Sequence, residues 1–328
     1  MTFRRSLFLF TLFFFAWILD MLSGSSSLKI SEVFSSLWAG PSGSPGTAHE
    51  VVWLLRLPKS LAAALAGGSL AVAGLQLQTL FRNPLAGPYE LGVSAGAGLG
   101  VALFTMAGWS ALGGQAGSLG AAALGALAVM GLLAVLAPLL RGAATMLLAG
   151  LLISSALGAI ISALQYQSDA GSLQAFVDWT LGSVGGVTWN QLAFFAPTCL
   201  FGLAAALLGA KSMNALLLGD EEARSLGSRV ALGRIGIAAC ASLLAAAVSA
   251  FCGPVAFVGL GIPHVSRWML RGSNHRVLIP ITAILGGAAV LICDALASAF
   301  GWPLNVVASG LGAPLVLIYL LRRQKEFS

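Results

Sequence analysis

The chain has 328 residues, 58% of them hydrophobic and only 9% charged, with 41 glycines and a formal net charge of +6. Soluble domains carry about 25% charged residues, so a mean hydropathy of +0.93 excludes an ordinary soluble enzyme and a disordered chain. The basic excess invites a nucleic-acid reading, which the placement of the basic residues removes.

A membrane-spanning helix needs about 20 mostly apolar residues. Ten segments qualify: 6–22, 58–80, 91–107, 115–140, 145–166, 190–208, 230–250, 255–270, 277–299 and 304–321. Arg4 and Arg5 before the first give it the look of a signal peptide. No small-residue cleavage site follows, and it reads as a retained span. With the N-terminus inside, Arg4, Arg5, Arg82, Arg141, Lys211, Arg224, Arg229, Arg234, Arg267, Arg271, Arg276, Arg322, Arg323 and Lys325 fall on the inner face, against Lys29, Arg56 and Lys59 outside. Fourteen to three satisfies the positive-inside rule, so the basic residues set orientation and no nucleic acid is needed. The expected fold is all-α: one polytopic domain over residues 1–328 with about ten transmembrane helices and both termini cytoplasmic. Two outer loops, 25–52 and 167–189, carry amphipathic stretches suited to the headgroup level. The longest inner loop is 211–228.

The stretch 91–100 superficially resembles a dinucleotide fingerprint, but no ribose-binding acid follows. Gly92, Gly96 and Gly100 recur every four residues and line one helix face, where small residues let a neighbour approach. No phosphate-binding loop exists, since Lys211-Ser212 lacks the glycine before the lysine. Cys199, Cys240, Cys252 and Cys293 lie in apolar runs and read as small buried hydrophobes. His49, His264 and His275 have no metal-ligand spacing. Asp20 and Asp294 lie in or at the ends of spans, and a membrane carboxylate is a functional suspect. Both fall near the outer ends, and no mid-depth partner for ion coupling is evident. The break at Asn83-Pro84-Leu85 stops a helix. It is a plain turn or a segment buried against other helices.

Together these residues resemble a known family. Arg56-Leu57-Pro58-Lys59, the run from Gly74 through Gln78 to Asn83-Pro84-Leu85-Ala86, and Leu91-Gly92 with Gly96 resemble the first half of the FecCD/BtuC permeases. Asn214 to Gly227, Gly253-Pro254 through Pro263-His264 to Arg267, and Gly312-Ala313-Pro314 resemble the second half. These permeases belong to bacterial ABC importers for iron-siderophores, haem and cobalamin, in the inner membrane. The resemblance implies a BtuC-like fold and a second permease subunit, with a homodimer expected. It also implies two cytoplasmic ATPases that bind ATP and Mg, and a periplasmic or lipid-anchored substrate-binding protein. No catalytic residue, metal or cofactor is expected on this chain. Asn214, Leu216, Leu217, Leu218, Gly219, Ala223, Arg224, Leu226 and Gly227 would seat in the ATPase, with the leucines as an apolar docking face. Arg56 and Lys59 would dock the binding protein, with Lys59 standing where Arg is usual and Ser298 where a further Arg is expected. Their alternative is snorkelling at the interface. The candidate path and gate residues are Asn83, Pro84, Leu85, Gly142, Ala143, Ala144 and Thr145. An iron chelate is the expected cargo, with cobalamin second. An ion-coupled secondary transporter is the alternative from another class.

Overall fold

A computed structural model of the chain describes residues 3–24, 28–41, 46–107, 114–136, 139, 143–219, 222, 225, 230–270 and 272–325. No strand occurs among them. The helices are α1 (Phe3–Leu22), α2 (Ile30–Ala39), α3 (Thr47–Glu50), a π-helical turn (Val51–Arg56), α4 (Leu57–Leu80), α5 (Val93–Met106), α6 (Gly114–Leu136), α7 (Ala143–Gln167), α8 (Ala170–Thr180), α9 (Trp189–Leu208), α10 (Ala210–Leu218), α11 (Val230–Cys252), α12 (Val258–Leu270), α13 (His275–Phe300) and α14 (Leu304–Lys325).

A helix stands at each of the ten apolar segments. Among the described residues, six helical stretches are long and apolar enough to cross a membrane: Thr47–Leu80, Ala116–Leu136, Thr145–Gln167, Trp189–Leu208, Val230–Cys252 and His275–Phe300. Leu7–Leu22, Val93–Met106 and Leu304–Ile318 are apolar but shorter. The 13 residues of α12 rise only about 20 Å, less than the roughly 30 Å of a hydrocarbon core.

The central post is α4, with 19 of its 24 residues buried. Pro58 falls where the π-helical turn passes into α4, inside the continuous helical stretch Thr47–Leu80, and a change of pitch is where a helix accommodates a missing N–H. Its face is made of Ala and Gly, so neighbours approach to backbone contact. A methyl group on Gly67 would strike the Gly286 carbonyl of α13, and one on Gly74 would strike the Gly259 carbonyl of α12. The second close crossing is α5 on α6. There Gly96 faces the Gly125 carbonyl and Gly100 faces the Ala121 carbonyl. Gly92 departs from the expected single glycine face. It caps α5 in the left-handed region at φ +83° and sits against Ser154 of α7.

At the end of the bundle away from α10, aromatic donors tie the short helices down. Trp53 Nε1 donates to the Ser36 carbonyl at 2.8 Å, and Trp189 Nε1 donates to the Trp53 carbonyl at 2.7 Å. Asp169 caps α8, accepting from the backbone N–H of Gly171 and Ser172. Those hydrogen bonds, the Ser172 N–H foremost, hold its carboxyl below the usual range.

Candidate coupling site and rim

Short α10 lies against the ends of α4, α9, α11 and α13. Met213 and Leu216 point inward and are buried, whereas Leu217 and Leu218 are 48% and 59% exposed. The expected run of docking leucines therefore divides. On a helix, neighbours 100° apart cannot all share one face, and Leu216 anchors α10 while Leu217 and Leu218 present apolar surface. Gly219 ends the helix at φ +119°, a backbone state that favours glycine. Ala223, Arg224, Leu226 and Gly227 lie outside the described residues.

Asn214 links α10 to two long helices. Its Oδ1 accepts from the His275 backbone N–H at 2.9 Å and lies 2.8 Å from His275 Nδ1, while its Nδ2 donates to Asn274 Oδ1 at 3.0 Å. An amide oxygen only accepts, so Nδ1 carries a ring proton. The far ring nitrogen, Nε2, sits 2.9 Å from Thr79 Oγ1, near the end of α4. His275 and Thr79 are both buried. Beside Thr79, Gln78 donates to the Leu260 carbonyl at 3.1 Å and accepts from Arg267 Nη1 at 2.5 Å, both on α12. Arg82, in the left-handed region at φ 49°, turns back to donate to the Leu216 carbonyl at 3.3 Å. Helix α10 is thus hydrogen-bonded to α13 and, through His275, to α4, whose Gln78 is in turn bonded to α12.

The Asn83-Pro84-Leu85 break belongs to the same end. Asn83 Oδ1 accepts from the Leu85 N–H at 2.9 Å, and His264 Nε2 donates to the Pro84 carbonyl at 2.8 Å. The break is pinned to α12 and does not hang free. Of the other gate candidates, Gly142 is outside the described residues. Ala143 and Ala144 open α7, of whose side chains there nothing is described, and Thr145 is exposed.

Glu90 lies in the loop after that break. Its carboxyl folds over Gly87, where a Cβ would collide with Oε2, and it lines a small cavity with Ser94, Ser249 and Phe257. Burial pushes the carboxyl up to about 7. The folded state then binds more protons than the unfolded one between the ordinary value, near 4.5, and about 7. Stability falls as pH rises through that window, at about 1.4 kcal/mol per pH unit and by about 3 kcal/mol in all. Glu90→Gln should abolish this fall. Thermal unfolding from pH 4.5 to 8 checks it, and parallel profiles for the two proteins would refute the assignment.

At the opposite end Arg56 and Lys59 differ from an exposed docking pair. The guanidinium of Arg56, only 5% exposed, donates to the carbonyls of Met21 and Leu22 at 2.8 and 3.2 Å, satisfying the end of α1. Arg56 is the last residue of the π-helical turn before α4. Lys59 Nζ lies 2.7 Å from both Asp294 Oδ2 and Ser298 Oγ. Ser298 thus accepts a hydrogen bond from the same ammonium that pairs with Asp294. Asp20 is buried beside this pair.

The FecCD transport family model matches residues 12–323. The chain belongs to the FecCD transport family. Relatives in it include the hemin transport system permease HmuU of Yersinia pestis, 36% identical over 318 residues and covering 93% of each chain. The vitamin B12 import system permease BtuC of Vibrio cholerae is 36% identical over 326 residues, 97% of this chain and 94% of that one. A solved structure described as an inward-facing, metal-chelate type ABC transporter superposes with a TM-score of 0.81 at 30% identity, covering 97% of this chain and 99% of that one. This FecCD chain is therefore an ABC importer permease, a multi-pass protein of the membrane. Within the FecCD chain, Thr79, Gln78, Arg82, Arg267 and His275 escape a reading of the sequence for site residues. One signal was available: Gln76, Gln78 and Thr79 crowd the end of an otherwise apolar helix, where unpaired polar groups are costly.

Proposed function

We propose that this chain forms the membrane half of an ATP-driven importer carrying an iron chelate, siderophore or haem, with cobalamin as the second reading. The named cargoes of HmuU and BtuC support both. Ten crossings with both termini inside, two copies of the chain, two ATPases holding ATP and Mg, and an outer binding protein complete the assembly. The observation that carries the reading is the hydrogen-bonded connection from α10 through Asn214 and His275 to α4. ATPase closure pulls on Leu217 and Leu218, and Asn214 passes the displacement to the long helices. The binding protein docks on the rim that Arg56 and Lys59 hold in shape. Cargo passes beside α7, whose Leu148, Leu151, Leu152 and Ile160 are exposed, and the segment 141–145 closes the inner side.

The test is reconstitution with the ATPase and binding protein in vesicles. Haem, a ferric siderophore and cobalamin are offered in turn on the binding protein. One of the iron chelates should accumulate only with ATP. Accumulation of cobalamin alone would move the reading to the second cargo. Uptake driven by a proton or sodium gradient with the ATPase omitted would overturn it.

A further inference from the structure

We propose that the groove between α9 and α11, at the end of the bundle that carries α10, binds an anionic phospholipid. A cavity of about 530 Å³ opens there, within the range of sites that hold small ligands. Its mouth carries Lys211 and Ser212, and neither has a partner among the described residues. Its wall is Gly233, Gly236 and Ile237, one face of α11. Its deep end is Gln76, 1% exposed, whose Oε1 also lacks a partner among the described residues. From Gly233 to Cys240, which also lines the cavity, α11 rises about 10 Å. The cavity therefore runs from the headgroup level into the ester region of a leaflet.

Three features select the occupant. The flanks are apolar and open: Leu208 is 86% exposed, Leu232 59% and Ile235 65%, so the groove faces acyl chains. The mouth is cationic, which favours a phosphate over a neutral guest. The deep amide both donates and accepts, and burying it unsatisfied is costly. Ester carbonyls and the water they carry are the polar groups a phospholipid brings to that depth. The phosphate thus sits on Lys211 and Ser212, the ester region meets Gln76, and a chain lies over the bare backbone of Gly236. The bound lipid also touches the start of α10, which places it against the element proposed to receive the ATPase stroke.

The full chain is reconstituted in equimolar phosphatidylglycerol and phosphatidylcholine vesicles containing a spin-labelled form of one or the other. Both lipids offer a phosphate, but the choline of phosphatidylcholine returns a positive charge beside Lys211, so immobilised phosphatidylglycerol should exceed it about tenfold. Lys211→Ala should remove most of that preference. Gly236→Leu should block retention of either lipid, because its added side chain enters open space within the groove. Inorganic phosphate at about 10 mM, an ample excess over a weak anion site, should leave the lipid signal unchanged. Equal retention of both lipids by the unaltered chain overturns the proposal without recourse to any variant. Displacement by inorganic phosphate, which would mark a free-anion site, also overturns it, as does retention unchanged in both variants.

Discussion

Gly67→Val will unseat α4 from α13 and lower the unfolding temperature in detergent by about 4 °C, the shift expected for roughly 3 kcal/mol in a chain of this size. The crossing is reciprocal. A Cβ on Gly67 meets the Gly286 carbonyl and the Val290 side chain, and a Cβ on Gly286 meets the Gly67 carbonyl and Ala71. Backbone cannot rotate away as a side chain can, so the helices must separate, and the dispersion contacts along the α4–α13 seam weaken together. Gly120→Val on α6 is the control, because a Cβ there meets nothing. It should change stability only by the small helix-propensity difference, a few tenths of a kcal/mol in favour of valine. Equal loss in both variants would show that the close α4–α13 crossing is not what the substitution breaks. Glycine seams suit this family of folds because lipid tails offer no hydrophobic drive between helices, leaving contact itself as the main attraction.

The ten helices are legible in sequence because a lipid solvent demands long apolar runs, and ten such runs each hold a helix. The small-residue crossings are half legible. Gly96 and Gly100 on α5 follow from a four-residue period, but nothing local says that Gly125 is their partner, or that Gly92 serves a left-handed turn instead. The polar contacts are the least legible. Asn214 meets His275 across 61 residues, Thr79 meets His275 across 196, and Arg267 meets Gln78 across 189. Such pairings are set by tertiary approach and leave no periodic trace. Arg56 shows another limit. Its position at the outer end of a span suggests an exposed cation, while its guanidinium lies on the carbonyls that end α1. The π-helical turn that carries it is a local change in pitch, and composition does not record pitch.

Two variants of α10 should fail in different ways and so separate docking from transmission. Leu217→Glu with Leu218→Glu should abolish association with the ATPase. Each leucine is worth about 1.5–3 kcal/mol when fully buried, and placing carboxylates in the same contact adds a desolvation cost. Binding should fall by at least about a hundredfold, and stimulated ATPase activity and uptake should vanish together while the chain inserts normally. Asn214→Leu leaves that exposed surface intact but removes the acceptor for His275 Nδ1 and the donor to Asn274. The ATPase should then still bind and hydrolyse ATP, while uptake per ATP falls about tenfold or more, as the loss of three hydrogen bonds, two of them part-buried, at roughly 0.5–1 kcal/mol each implies. Leu216→Ala belongs to neither class. Its side chain is 3% exposed, so its loss should appear as about 2–5 kcal/mol of destabilisation. Co-purification, ATPase rate and uptake measured on all three proteins distinguish the roles. Should Asn214→Leu abolish ATPase binding as completely as the double glutamate, α10 would be a docking peg alone and the hydrogen-bonded relay to α4 would play no part in transport.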